Sequence, residues 1–315
     1  MHRRLHRLEG RRAIDRRLLR IGRRGDCFGT DLAGHGRMAD NHRTRAQEAR
    51  HVTALHNELH ELACLIGREA AAMVLDGHGE LHEADTKASD IDLVTQIDRA
   101  SEQLITQRLL AARPNDGIVG EEGTAVIGTS GVQWLVDPID GTTSFFYGLP
   151  GFSVSIAARL DGQVVAGCVV APAINAEYSA VLGRGATMNG EPISCRDTSS
   201  LSKALVGTGF APDHRRRTRQ GQMFAAIIPQ IRDIRRMGSA ALDLSAVAAG
   251  QLDAYFEIGL SLWDYAAGVL IAAEAGALTI VEPDHASDRA FVVAAAPGIA
   301  DELVALLRAH NADTV

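Results

Sequence analysis

The sequence has no long hydrophobic run and few cysteines, and both shortages exclude classes of protein. Its longest apolar stretch, from Tyr265 to Ala273, is far shorter than the roughly 20 residues that a membrane-spanning helix needs. The four cysteines among the 315 residues are Cys27, Cys64, Cys168 and Cys195. They show no CxxC spacing and no His partner pattern. We therefore expect a soluble, cytoplasmic protein with no transmembrane segment, no disulfide framework and no zinc site.

The net charge of −7 is unevenly distributed along the chain. Residues 1–45 carry 13 arginines against five acidic residues, a local +8, so the other residues carry −15. We interpret residues 1–45 as a disordered or mis-started extension, with Met38 as the alternative start, and keep a polyanion-binding arm as the other reading. Residues 46–315 are expected to form the folded part, as one large domain or two tightly joined lobes.

Hydrophobic spacing predicts alternating helices and strands after residue 46. Apolar residues three and four apart predict a helix from Gln47, and a second helix is expected to begin with Asp98 as its N-cap and to end at Arg113. Further helices are predicted over residues 221–228, 239–249 and 263–275 and at the C-terminus to about residue 309, and strands over 118–119, 133–136, 152–159, 164–170, 231–235, 254–257, 278–281 and 290–295. The turn Asp161-Gly162 predicts a hairpin. This mixture favours a layered α/β sandwich over a barrel.

Three histidines, His51, His56 and His60, lie on the first predicted helix. No carboxylate cluster accompanies them in the sequence. We therefore expect them to be solvated and not to be metal ligands.

Acidic residues are concentrated beside strand ends and glycine turns. The loop Gly120-Glu121-Glu122-Gly123 follows one short strand, and a second strand leads into Asp137-Pro138-Ile139-Asp140. Two carboxylates and the Ile139 carbonyl can converge on hard cations, which require oxygen ligands. The following residues 141–143 open a helix or turn whose free N–H groups suit phosphate. Asp264 precedes an apolar helix and is expected to be both its N-cap and a further ligand. Together these features are typical of metal-dependent phosphoryl transfer.

These motifs, in this order, resemble the inositol monophosphatase family of magnesium-dependent, lithium-sensitive phosphatases. The pattern W-[IVL]-[LIV]-D-P-[ILM]-D-G-T is matched at residues 134–142 and W-D-x-A-A-G at 263–268, with further matches at 87–98, 120–122, 238–241 and 253–259. The resemblance covers roughly residues 50–310 and is strongest to bacterial members. It implies a layered αβαβα sandwich of the inositol monophosphatase / fructose-1,6-bisphosphatase type with the metal site between two lobes, Mg²⁺ as cofactor, and a cytoplasmic homodimer.

The resemblance also implies three sets of site residues. The metal ligands would be Glu121, Asp137, the carbonyl of Ile139, Asp140 and Asp264. The residues that orient and activate the attacking water would be Glu121, Thr142 and Asp98. The substrate-binding residues would be Asp140, Gly141, Thr142, Gly238, Ser239, Ala240, Glu257 and Asp264, with Lys87 in a loop near the metal. Many inositol-type members have Asn where this sequence has Ser144, which we expect to cap the helix.

The implied activity is hydrolysis of inositol monophosphate to myo-inositol and phosphate, by in-line attack of a metal-activated water. Histidinol phosphate and other sugar or polyol phosphates remain alternative substrates. A different class also remains open, because some bacterial relatives act as accessory proteins in transcription. We nevertheless expect a small-molecule phosphate monoester as the binding partner, with no membrane and no nucleic acid.

Overall fold

The computed structural model describes residues 38–83, 90–211, 213–284 and 289–310. The helices are α1 Met38–Glu83, α2 Asp90–Ala112, α3 Thr142–Phe146, α4 His214–Ile227, α5 Ala240–Ala248, α6 Leu262–Glu274 and α7 Pro297–Ala309. The strands are β1 Gly117–Gly120, β2 Ala125–Val126, β3 Val132–Asp140, β4 Ser153–Leu160, β5 Gln163–Ala171, β6 Ala176–Val181, β7 Ala186–Met188, β8 Glu191–Ile193, β9 Leu205–Thr208, β10 Asp233–Arg235, β11 Ala254–Leu260, β12 Leu278–Asp284 and β13 Arg289–Ala295. Lys87 and residues 1–37 of the predicted extension lie outside the described residues.

The helices and two sheets form five layers. The large sheet has the strand order β2-β1-β3-β4-β5-β6-β7-β8, and the small sheet has the order β10-β9-β11-β13-β12. One core joins α1 and α2 to the outer face of the large sheet, and α5 and α6 are packed against both sheets. A further core places α4 and α7 on the small sheet. The predicted αβαβα sandwich is therefore confirmed. None of the described helices is long and apolar enough to cross a membrane.

The large sheet brings the two acidic motifs to the same edge. Strands β1 and β3 are parallel neighbours, and Gly120 lies opposite Val136. The loop after β1 therefore lies next to Asp137. Strand β3 is longer than predicted and continues to Asp140, with its register to β4 shifting between Asp137 and Asp140. A shift of this kind re-aims side chains, and Pro138 is accommodated there because the regular hydrogen-bond ladder is interrupted.

Three helix assignments made from the sequence are corrected. Helix α1 begins at Met38, not at Gln47. Asp98 is not an N-cap, because α2 begins at Asp90 and places Asp98 in its interior, where it is buried. Asp264 is not an N-cap either. It occupies the third position of α6 and completes a capping box, accepting a hydrogen bond from the N–H of the true N-cap, Ser261, at 2.7 Å.

Two smaller expectations also fail. His60 is only partly exposed, and its Nε2 lies 3.5 Å from Sγ of Cys64, so it is not simply solvated and the pair is a His–Cys contact that cysteine spacing did not reveal. Ser144 does not cap α3, because it lies inside that helix and donates to the carbonyl of Met237 at 3.2 Å. In contrast, the hairpin at Asp161-Gly162 is confirmed, with positive φ angles of 50° and 87°.

Candidate active site

The structure brings together five acidic side chains from four elements. They are Asp98 of α2, Glu121 of the loop after β1, Asp137 and Asp140 of β3, and Asp264 of α6. We call them the carboxylate cluster. The charges of Glu121, Asp140 and Asp264 all act on Asp137, and Glu121 also acts on Asp98. Segments that are more than 160 residues apart in sequence therefore lie near one another.

Burial and mutual repulsion raise the pKa values throughout the cluster. Burial raises the pKa of Asp98 to about 8, with further increases from Glu122 and Glu121. Burial likewise raises the pKa of Asp264 to about 8, and the Asp140 charge adds to this effect. For Asp137 the pKa is raised well above its usual range, first by burial and then by Glu121. Part of Glu121 is exposed, but burial of the rest raises the pKa of its carboxyl.

Two oxygens of the cluster fit a divalent cation. Asp98 Oδ1 and Asp137 Oδ1 are buried and have no hydrogen-bond partner in the described structure. An unpaired buried carboxylate oxygen is costly unless a cation or proton neutralises it. The donors available at this site are carboxylates and the Ile139 carbonyl, and oxygen donors of this type suit Mg²⁺. The Ile139 carbonyl also accepts a hydrogen bond from Thr142 Oγ1 at 3.2 Å, so it keeps one lone pair for a cation.

Asp140 is fixed by the turn that precedes α5. Its Oδ2 accepts hydrogen bonds from Ser239 Oγ and from the N–H of Ala241, both at 2.7 Å. Ser239 is also the N-cap of α5, since its hydroxyl accepts from the N–H of Leu242 at 3.0 Å. Burial raises the pKa of Asp140 to about 6, although the Ser239 hydrogen bond opposes the increase. The turn predicted to bind substrate thus also orients a predicted metal ligand.

A glycine opens the turn beside Asp140. Gly141 is the N-cap of α3 at φ 99°, and a Cβ at this position would lie 2.5 Å from the carbonyl oxygen of Gly151. Only glycine therefore fits, on both conformational and steric grounds. The first amides of a helix have no acceptor within the helix, so those at Thr142 and Thr143 are oriented to bind an anion.

Sequence reasoning missed the residue that holds the loop of Glu121. Glu102 is buried, and its two carboxylate oxygens accept from the N–H of Glu122 at 2.8 Å and of Thr124 at 2.9 Å. A side chain at Gly120 would collide with this carboxylate, at 2.2 Å. Glu102 lies one helical turn after Asp98, and this four-residue spacing is the signal that could have identified it.

A second missed acid lies under the predicted polyol-binding residues. Asp243 is buried on α5, and burial raises its pKa to about 8, with further increases from Asp140 and Glu257. Burial also raises the pKa of Glu257 to about 7, although a hydrogen bond from Tyr255 opposes the increase. The exposed guanidinium of Arg236 counteracts the increases at all three of these acids. The charge of Arg216 also lowers the pKa of Glu257, so the substrate side of the site combines buried acids with at least two arginines.

Replacing Asp243 by asparagine is expected to stabilise the protein by an amount that grows with pH. Below about pH 4 the carboxyl is protonated in both the folded and the unfolded chain. Between about pH 4 and the folded pKa of about 8, only the folded chain retains the proton. In this range the Asp243 carboxyl lowers the free energy of unfolding of the wild type by up to about 1.4 kcal/mol per pH unit. Asparagine does not titrate, so the variant does not show this decrease.

Urea unfolding of both proteins at about pH 5 and about pH 8, with chelator present, measures this difference. The matched control is Asp301→Asn, at an exposed position of α7, which should retain the wild-type dependence on pH. A stability gain from Asp243→Asn that is the same at both pH values would contradict the assignment.

Comparison with known proteins gives consistent results. A sequence model of the inositol monophosphatase family matches residues 55–312. The protein named inositol-1-monophosphatase SuhB from Mycobacterium tuberculosis strain H37Rv is 46% identical over 246 residues, which cover 75% of this chain and 84% of that protein. The Nus factor SuhB of Pasteurella multocida is 39% identical over 256 residues, covering 79% of this chain and 95% of that protein.

A solved structure shows the same likeness in three dimensions. Mycobacterium tuberculosis SuhB superposes with a TM-score of 0.72 at 45% identity, covering 81% of this chain and 97% of that chain. The residues matched by the family model, 55–312, include the whole carboxylate cluster.

Proposed function

The chain belongs to the inositol monophosphatase family, and from this premise we propose that it hydrolyses a phosphate monoester, with inositol monophosphate as the preferred substrate. The products are myo-inositol and inorganic phosphate. The observation that carries the proposal is the carboxylate cluster, in which Asp98 Oδ1 and Asp137 Oδ1 are buried without partners. Such a cluster is stable at neutral pH when cations neutralise it, and phosphate esters are the substrates whose charge those cations also offset.

Magnesium is the proposed cofactor, and four carboxylates and a carbonyl would hold it. These ligands are Glu121, Asp137, the carbonyl oxygen of Ile139, Asp140 and Asp264. When bound, Mg²⁺ lowers the pKa of water and neutralises charge that develops on the phosphate and on the leaving oxygen.

Asp98 and Thr142 orient the attacking water, which Glu121 helps to activate. Because Thr142 Oγ1 donates its own proton to the Ile139 carbonyl, its lone pairs are left to accept a proton from water. Burial raises the pKa of Asp98, which makes its carboxylate a stronger base than a solvated one. The backbone amides at Gly141 and Thr142 bind the phosphate oxygens.

The polyol is positioned by residues beyond Asp140. Gly238, Ser239 and Ala240 line the turn that already holds Asp140, and the charges of Glu257 and Asp140 act on one another. Hydroxyl groups of a polyol can donate to Glu257 and accept from backbone amides of the turn. A substrate held there has its ester oxygen directed toward the carboxylate cluster.

A phosphate-release assay with four substrates tests the proposal. Inositol 1-phosphate, histidinol phosphate, fructose 1,6-bisphosphate and 3′-phosphoadenosine 5′-phosphate are each supplied with Mg²⁺ or with chelator. We expect Mg²⁺-dependent release that is fastest with inositol 1-phosphate. Faster release from histidinol phosphate or a sugar phosphate would support the proposed reaction but contradict inositol monophosphate as the preferred substrate. No release from any of the four would overturn the proposal.

Three further family properties belong to the same proposal. We expect turnover to be inhibited by lithium, the chain to form a homodimer and the enzyme to work in the cytoplasm. Each is inferred from the family alone.

A second candidate function is an accessory role in transcription, and its support comes from the relatives. The Pasteurella multocida relative carries the name Nus factor SuhB. The 13 arginines within residues 1–45 give the present chain a basic segment that could contact RNA phosphates. RNA binding by the full chain and by a chain starting at Met38, at low and moderate salt, tests that segment, and equal binding by the two would remove it from consideration.

A further inference from the structure

A group of soft and polar ligand atoms lies between α1 and the large sheet, apart from the carboxylate cluster. Its members are His60 and Cys64 of α1, Cys168 of β5 and Glu177 of β6. We call them the cysteine cluster. The two thiol sulfurs and a carboxylate oxygen of Glu177 all lie within 4.8 Å of one another. His60 Nε2 lies 3.5 Å from the sulfur of Cys64.

Regular secondary structure fixes the positions of all four side chains. His60 and Cys64 are one turn apart on α1, so they share a helix face. In the pairing of β5 with β6, Val170 lies opposite Glu177, and Cys168 is on the same face as Val170 because strand residues alternate. Helix α1 approaches this face closely at Gly67, where a Cβ would lie 3.2 Å from Val170. The cluster is thus assembled on rigid elements and not on a loop.

The surroundings favour negatively charged donors. Arg68 donates to both carboxylate oxygens of Glu177, at 3.0 and 2.8 Å. A hydrogen bond from Cys168 lowers the pKa of Cys64 to about 6, and His60 lowers it further. The same contact raises the pKa of Cys168 well above its usual range, so the two sulfurs share one proton. The lowered pKa favours the thiolate form of Cys64, which is the form that binds metals.

We propose that the cysteine cluster is a binding site for a Zn²⁺ ion. Two thiols, an imidazole and a carboxylate are the donor types that zinc takes in four-coordinate protein sites. In a tetrahedral site with a Zn–S distance of about 2.3 Å and a Zn–N distance of about 2.0–2.1 Å, the S···N separation is about 3.6 Å and the S···S separation about 3.8 Å. The observed 3.5 Å between Cys64 and His60 matches the first value. The 4.8 Å limit applies to the two sulfurs and the Glu177 oxygen, so these three atoms need to approach one another by up to about 1 Å, and the imidazole of His60 turns toward them about its contact with Cys64.

The charges of the cluster balance once zinc is bound. Two thiolates and one carboxylate with a divalent cation leave one net negative charge, which the guanidinium of Arg68 neutralises. Binding displaces the proton that the two sulfurs share. Arg68 then holds the Glu177 ligand in place as outer partners of metal ligands commonly do. Soft sulfur donors also separate this site from the carboxylate cluster, where oxygen donors suit Mg²⁺.

The ion can reach the site from solvent and would join α1 to the sheet. Cys64 and Cys168 are buried, but the side chain of Glu177 is 21% exposed and His60 is partly exposed. Because the ligands come from α1, β5 and β6, bound zinc would add a cross-link between a helix and two strands. Zinc should therefore stabilise the folded chain without being required for turnover.

Cobalt substitution tests the proposal on the full chain. The reduced protein is treated with chelator, transferred to excess Mg²⁺ so that oxygen sites are occupied, and titrated with Co²⁺. We expect one equivalent of Co²⁺ to produce a thiolate-to-cobalt charge-transfer band in the near ultraviolet and the intense visible bands of tetrahedral coordination. Added Zn²⁺ should displace the Co²⁺ and remove both. Octahedral spectra without a charge-transfer band would overturn the proposal.

Matched variants assign the signal to these residues. Cys64→Ala should abolish the charge-transfer band and weaken Zn²⁺ binding by more than about a hundred-fold. Losing a residue that only supports a metal ligand would weaken binding by about a hundred-fold at most. Cys195→Ala, which removes a thiol outside the cluster, should leave both unchanged. His60→Ala and Glu177→Gln alter side chains that reach the surface, so their weaker binding can be measured in a folded protein. Zinc binding that is equal in wild type and Cys64→Ala, or a Cys64–Cys168 disulfide in protein prepared with reductant, would overturn the proposal.

Discussion

Replacing Asp140 by asparagine is expected to reduce Mg²⁺-dependent phosphate release by about a thousand-fold or more while the fold remains intact. Asp140 Oδ2 accepts from Ser239 and from the N–H of Ala241, both at 2.7 Å. Asparagine can keep these two hydrogen bonds only by directing its carbonyl oxygen at them. Its NH₂ group then faces the carboxylate cluster, so a hydrogen-bond donor replaces the anionic oxygen that a cation needs.

Phosphate release from the substrate that the wild type turns over fastest, at saturating Mg²⁺, gives the effect on turnover. Circular dichroism and thermal unfolding establish that the variant is folded. The matched control is Asp161→Asn in the β4–β5 hairpin, because asparagine tolerates the positive φ of 50° at that position. The control should stay within about two-fold of wild type, as exposed sites usually do. Turnover of Asp140→Asn within ten-fold of wild type would refute the assignment of Asp140 as a ligand.

The layered fold and most of the carboxylate cluster were predictable because their signals are local. Strand Gly117–Gly120 leads directly into Glu121 and Glu122. The apolar strand from Val132 ends with Asp-Pro-Ile-Asp and is followed by Gly-Thr, so each motif contains its own structural context. The N-cap assignments of Asp98 and Asp264 were wrong because they relied on local signals alone. An aspartate beside an apolar run looks like an N-cap, but the sequence does not show that α2 begins eight residues before Asp98 or that Ser261 caps α6. Helix ends depend on tertiary contacts more than on the nearest capping residue.

Contacts between distant segments were not predictable from spacing. Glu102 stabilises the loop of Glu121 by accepting backbone hydrogen bonds, a role that leaves no motif in the sequence. Cys64 and Cys168 are 104 positions apart and meet only because α1 packs on β5. Spacing rules describe ligands that share one loop or hairpin, so they could not reveal the cysteine cluster.

A second large effect is expected when two buried aspartates of opposite character are replaced. Asp116 is fully partnered: its carboxylate accepts from Trp134 Nε1 at 2.9 Å, from Ser130 Oγ at 2.6 Å and from Arg113 Nε at 2.6 Å. Asp137 is buried with Oδ1 unpartnered and is repelled by neighbouring acids, Glu121 first. The first carboxylate stabilises the fold, whereas the second destabilises the metal-free fold and serves the reaction.

Asp116→Asn is therefore expected to destabilise the protein by about 2–4 kcal/mol, because charged hydrogen bonds are lost in a buried site. Its folded fraction should keep Mg²⁺-dependent turnover. Asp137→Asn should do the reverse and abolish turnover, while stabilising the metal-free protein at about pH 8 by on the order of 2 kcal/mol, since the penalty of a buried, repelled carboxylate disappears. The direction of this effect follows from the raised pKa of Asp137 in the folded chain. As the pH rises above the unfolded pKa of about 3.9, only the unfolded chain loses this proton, so the free energy of unfolding of the wild type decreases.

Thermal unfolding with chelator and with saturating Mg²⁺ separates the two roles. A ligand at one hundred times its Kd stabilises the folded state by about 2.7 kcal/mol, so Mg²⁺ should raise the Tm of wild type and of Asp116→Asn by several degrees. Asp137→Asn should begin from a higher Tm in chelator and show little further increase, because a ligand has been removed. If Asp137→Asn instead lowered the metal-free Tm, the unpartnered carboxylate would be stabilising the fold and its role as a cation ligand would lose its physical basis.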